Sequence, residues 1–227
     1  MKLSTFTITR KQGLVLNISL VLSILFSVLF MVECWGEVQF GSQGLMRSGY
    51  DYGSSEPVAL MAYLGLTLAN LTMLEVFRRC LKKENHFTAH FSVVMIMVSI
   101  CFIALSYFLS SYFAILEWLV TSFLFTSGME NNNLANTFRV VLFFFNIFLC
   151  VQLMRKYAGR LYLYGASLIA CPVLYALLYL LLLFVSFMGI GLTDVFDIPS
   201  IFSVISCVLA IIPFCVLRTT MDVKEEN

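Results

Sequence analysis

Six apolar stretches divide this chain, and its charged residues gather almost wholly between them. About 20 consecutive apolar residues let a helix cross the hydrocarbon of a bilayer. The pattern predicts an all-α, polytopic membrane protein with spans over about 14–32, 57–74, 91–113, 134–154, 161–188 and 198–217. Pro57 suits the first turn of the second span. The fifth span is longer than the hydrocarbon requires, so it is expected to tilt or protrude. Pro172 and Pro213 lie inside the fifth and sixth spans, where each removes a backbone donor and favours a bend.

A further apolar stretch, 114–127 (AILEWLVTSFLFTS), is too short to cross. It is expected as a re-entrant or interfacial helix, with Glu117 and Trp118 at headgroup depth. A single long helix from Phe91 to Ser127 is the rival reading. It would reach roughly 55 Å and stand well above a bilayer.

Composition agrees with lipid as the solvent. Of 227 residues, 60% are hydrophobic and 12% charged, against about a quarter charged in soluble domains. Six spans leave little chain for a separate soluble domain, so residues 1–227 are expected to form one integral membrane domain. The basic start resembles a signal peptide, but its apolar run ends at Met31-Val-Glu-Cys-Trp35 without a small-x-small cleavage site. It is expected to stay as the first helix.

The net charge of +1 hides an asymmetry. Lys2, Arg10 and Lys11 precede the first span. Arg78, Arg79, Lys82 and Lys83 follow the second, Arg155, Lys156 and Arg160 join the fourth and fifth, and Arg218 and Lys224 follow the sixth. Only Arg47 and Arg139 fall on the other side, where Glu37, Asp51, Glu56, Glu117, Glu130, Asp194 and Asp197 lie. Short loops rich in Lys and Arg stay cytoplasmic. Both termini are therefore expected in the cytoplasm of a multi-pass protein, with the bacterial inner membrane as the expected location.

Membrane helices associate through small residues that permit close approach. Ser19, Ser23 and Ser27 recur every four residues in the first span, and Ala62, Gly65 and Ala69 line one face of the second. These are expected packing positions, within one subunit or between copies. The polar residues Asn17, Asn70, Asn146 and Gln152 are expected to hydrogen-bond between helices. The fourth span instead carries Phe138, Phe143, Phe144, Phe145 and Phe148 on several faces, which suits lipid or an aromatic subunit contact.

Candidate chemistry is sparse. The span centres contain no charge, which disfavours a proton-coupled pathway. His86 and His90 stand four apart, but no HExxH pattern surrounds them, and both are expected as solvated histidines beside a basic loop. Glu75 precedes Arg79 by four residues, the spacing of an ordinary surface ion pair. The seven cysteines lack zinc or CxxC spacing. Two sequons, at Asn17 and Asn70, lie within spans. Nucleophile-elbow, paired-aspartate and phosphate-loop patterns are lacking, so no catalytic, metal or cofactor residue is assigned.

Two surfaces remain. The outer loop 35–56 alternates glycines with Trp35, Phe40, Tyr50 and Tyr52, which makes it the expected contact or sensing surface. On the inner side Arg78, Arg79, Lys82, Lys83, Arg155, Lys156 and Arg160 are the expected contacts for anionic lipid or an acidic partner. In general build the chain resembles the small membrane subunits of bacterial two-gene phage-defence systems of the Kiwa type. That resemblance covers overall organisation and carries no functional residue across. It implies a membrane-anchored oligomer that recruits a cytoplasmic nucleic-acid-binding effector. A homo-oligomer with a cytoplasmic protein partner, and without direct nucleic-acid binding, is expected. The expected function is thus a non-enzymatic membrane subunit, without cofactor. A permease subunit of an ATP-driven exporter and a small channel are the alternatives.

Overall fold

The computed structural model describes residues 3–40, 57–112, 133–187 and 198–224. Six helices form there: α1 (Arg10–Phe40), α2 (Pro57–Lys83), α3 (Phe87–Tyr112), α4 (Asn133–Lys156), α5 (Gly159–Phe187) and α6 (Ile198–Thr219). Five of them contain stretches long and apolar enough to cross a membrane, so the chain is a multi-pass helical membrane protein. In α6 the corresponding apolar stretch, Cys207–Thr219, is shorter.

Each helix packs on its neighbours in sequence, and α6 returns to α1, which closes a ring of six. Successive helices run in opposite directions. The starts of α1, α3 and α5 and the ends of α2, α4 and α6 therefore share one end of the ring. The deepest core lies at that end. Leu16, Phe77, Leu81, Val93, Leu149, Leu153, Leu161 and Leu217 are all buried within a few turns of it, and together they draw on all six helices.

Further along the ring α1 and α2 stay closely packed, through buried Ser19, Ser23, Ser27, Ala62 and Ala69. By contrast, α5 is exposed on every face for several residues after Pro172.

The fold is helical, as expected, and carries one small addition. Phe6–Ile8 forms a strand, β1, and Met221–Val223 forms another, β2. They pair in parallel, with Phe6 opposite Met221 and Ile8 opposite Val223. Parallel strands need a long connection between them, and here the whole helical ring supplies it. The two strands cap the core end of the ring.

Several boundaries also move. The first helix runs on to Phe40, so Trp35 and Phe40 belong to α1 and not to a loop. The second helix continues through Lys83, nine residues past the expected end at Leu74. The third begins at Phe87, so His90 is helical. The apolar stretch 114–127 and most of the outer loop, with Tyr50 and Tyr52, lie outside the described residues.

Candidate functional site

The capped end is built from the chain's own termini. Thr9 and Gln12 start α1 with a reciprocal pair. The Gln12 amide donates to Thr9 Oγ1 at 3.3 Å, and the Thr9 amide donates to Gln12 Oε1 at 3.1 Å. This is a capping box, which satisfies two donors that a helix start leaves open. Just upstream, Phe6 is buried, with its ring edge-on to Phe77 at 5.9 Å and Tyr157 at 5.6 Å. The same segment caps α5: Leu3 and Ser4 carbonyls accept from the amides of Ala158 and Leu161. Gly159, at φ 59°, makes the turn between α4 and α5 and faces Ser4 closely. A side chain there would meet both a strained backbone and a neighbour.

The α2–α3 corner is equally well defined. Asn85 takes the left-handed conformation, φ 55°. The His86 amide reaches back to the Leu81 carbonyl and the Asn85 amide to that of Lys82. That bond pair is a Schellman motif, and it starts α3 at once.

Charged groups fill this corner. Glu75 accepts from Arg78 in a two-pronged contact, at 2.6 and 2.7 Å, and from Arg79 Nε at 2.8 Å. The Glu75–Arg79 surface pair expected from spacing is thus one arm of a larger cluster. Arg78 Nη1 also lies 3.0 Å from His90 Nε2, which links α2 to α3. Lys156 Nζ lies 3.0 Å from His86 Nδ1, which links the corner to the end of α4. Lys and Arg carry only donors, so both histidine nitrogens act as acceptors in these contacts.

The solvated histidines of the sequence reading are therefore corrected: both are half-buried and partnered. Burial lowers the His86 pKa from its ordinary value, and nearby Lys156 lowers it further. The Tyr157 hydroxyl is buried without a hydrogen-bond partner. Burial, and then the charge of Glu84, push its pKa up.

The basic residues of this end sort into two groups. Arg78 is turned to Glu75 and His90. Arg160 donates to the Thr219 carbonyl and to Asp222, clipping α5 to β2. Arg218 holds Asn17 at 2.5 Å and the Met221 carbonyl at 2.8 Å. These three hold the ring together. Arg79 is exposed even though it pairs with Glu75, and Lys156 is exposed beside His86. Lys82, Lys83 and Arg155 are exposed, and none of them makes a hydrogen bond or ion pair among the described residues.

The packing positions fall on the α1–α2 interface. Ser23 Oγ donates to Asn70 Oδ1 at 2.7 Å, and a Cβ on Gly65 would stand 2.6 Å from the Phe26 ring. Asn17 and Gln152 also bond between helices, the latter with Thr88 at 3.4 Å. Among the described residues, no group of three or more His, Cys, Asp or Glu could hold a metal ion. Sequence reasoning missed Phe6, Thr9 and Asp222. Only Thr9 carried a local signal, the Thr-x-x-Gln spacing before an apolar run.

Fold and site together describe a multi-pass helical membrane protein with its termini clipped across one end and a basic corner beside them. No family model, curated protein or solved structure matches the chain.

Proposed function

We propose that this chain is a non-enzymatic membrane subunit that crosses the bilayer six times and anchors a cytoplasmic partner on its strand-capped end. One observation carries the reading: the end where both termini are clipped together is also where the exposed cations gather. Lys11, Arg79, Lys82, Lys83, Arg155 and Lys156 all lie there. Cation-rich short connections mark the cytoplasmic side, which in a bacterium is the inner face of the plasma membrane. A rigid cap ringed by positive charge suits a protein with an acidic docking surface.

The polar groups of the spans support a structural role for the membrane part. Ser92, Ser99 and Ser167 donate to carbonyls of their own helices, and Ser23 binds Asn70. The channel reading is less favoured, because residues from all six helices fill the ring at the capped end. Contact with a stimulus at the outer face, self-association and a place in phage defence complete the proposal. Their support is the aromatic residues that the sequence places over 35–56, and the general build.

The test is affinity capture of the full chain in mild detergent from its native host, followed by mass measurement of the complex. An oligomer that retains a cytoplasmic protein is expected. A bare monomer would overturn the proposal.

A further inference from the structure

The exposed face of each of three helices runs as an apolar stripe that ends in a cation at the capped end. On α1 the stripe is Leu25, Leu22, Ile18 and Val15, then Lys11. On α2 it is Met61, Leu68 and Thr72, then Arg79, with Lys82 and Lys83 a turn further on. On α4 it is Val140, Phe144, Phe148 and Val151, then Arg155. The spacings of three, four and seven keep each set on one face of its helix. An apolar stripe that faces out from a membrane ring meets acyl chains, so its terminal cation stands at headgroup depth.

Between α2 and α4 lies α3, which packs on both. Its exposed stripe is Leu105, Val98, Phe91 and Phe87, and it ends in an aromatic ring where the neighbours end in cations. Phe87 is 78% exposed, more than any other large apolar side chain described. The corner sets Phe87 four residues after Lys83 and brings the end of α4 close to the same turn. The Schellman turn at Asn85 starts α3 immediately after α2, and the Lys156–His86 contact holds the end of α4 against it. Arg78 and Arg218 point elsewhere and are bonded within the chain. The cations left unpartnered at this corner are therefore the ones that continue or flank lipid-facing stripes.

We propose that the α2–α3–α4 face holds an anionic phospholipid, with its phosphate between Lys82, Lys83 and Arg155 and an acyl chain along Phe87, Phe91 and Val98. Phosphate charge and hydrocarbon are needed together. A zwitterionic lipid brings its own cation to the site, and free phosphate leaves the apolar stripe unused. Glu84, exposed on the same turn, adds one negative charge to this corner. The proposal refines the membrane reading above and is independent of which side of the membrane the end faces.

The test uses the full chain reconstituted in phosphatidylcholine bilayers containing a minor share of spin-labelled phosphatidylglycerol or spin-labelled phosphatidylcholine. The wild type is expected to immobilise phosphatidylglycerol with a several-fold preference. Joint Lys82→Gln, Lys83→Gln and Arg155→Gln changes should bring that preference close to one. Arg10→Gln, outside this face, should leave it intact. Phe87→Ser should weaken retention with the cations in place. Inorganic phosphate at matched ionic strength should compete no better than chloride. No preference in the wild type, a preference that survives the triple change, or displacement by phosphate specifically would overturn the proposal. Lipid selectivity is read on the isolated chain, so its failure is distinct from loss of a cytoplasmic partner, which the capture experiment reads.

Discussion

Ser23 Oγ donates to Asn70 Oδ1 at 2.7 Å, joining the small face of α1 to that of α2. Three residues beyond Ser23, the Phe26 ring lies over Gly65. A hydrogen bond and a close aromatic contact thus fix this helix pair. Hydrogen bonds between membrane helices contribute about 0.6 kcal/mol on average and up to about 2 kcal/mol. Asn70→Leu is expected to lower stability by an amount in that range, and Ser23→Ala, Asn70→Leu together should cost little more than the single change. Thermal unfolding of the four proteins in one detergent checks the coupling.

Gly65 tests the contact itself. Any Cβ there meets the Phe26 ring at less than van der Waals distance. Gly65→Leu is expected to destabilise by about 1–3 kcal/mol through overpacking. Phe26→Ala in the same chain should recover part of the loss. The double variant's midpoint should therefore lie above that of Gly65→Leu alone.

Much of this was legible in the sequence. The apolar runs coincide with the six helices of the described residues, since a helix in lipid must satisfy its backbone polar groups along its own length. The serine and small-residue stripes marked α1 and α2 because close approach restricts side-chain size. The cap was not legible. Phe6-Thr-Ile and Met221-Asp-Val are too short to show alternation, and each is a strand only because the ring brings the other alongside. Nor did spacing reveal the links from His90 to Arg78 or from His86 to Lys156, which depend on how the α2–α3 corner meets α4.

The cap makes the N-terminus part of the core. Phe6 is 3% exposed and touches both Phe77 and Tyr157. Phe6→Ala is expected to cost about 3–5 kcal/mol, the usual range for a buried phenylalanine. It should also release the first residues to protease, since Leu3 and Ser4 would lose their hold on the start of α5. Limited proteolysis of intact, still helical protein separates this local release from global unfolding.

The Asn85 corner distinguishes backbone from side-chain effects. Its φ of 55° suits glycine better than any other residue. Asn85→Gly is expected to keep stability within a few tenths of a kcal/mol, whereas Asn85→Val should cost about 1–2 kcal/mol. Denaturation midpoints of the two variants, compared with the wild type, decide it.

The acid response follows from His86. Its pKa in the folded chain lies below the ordinary value of 6.5, because burial and Lys156 disfavour its charged form. Below 6.5 the unfolded chain therefore binds more protons at this site than the folded chain does. Stability falls as pH drops through 6.5 and stops falling only below the depressed folded value. Protonation would also turn the Lys156 contact into a repulsion. Glu84, the one acid acting on this ring among the described residues, offsets the shift only in part. Tyr157, whose ring stands edge-on to His86 at 5.2 Å, stays neutral throughout this range because its own pKa is raised. His86→Gln keeps an acceptor for Lys156 but cannot take up the proton. It is expected to flatten the stability profile below pH 6.5 while leaving neutral-pH stability nearly unchanged. Thermal midpoints of both proteins measured across acid and neutral buffers would show it, and parallel profiles would mean that the acid response arises elsewhere.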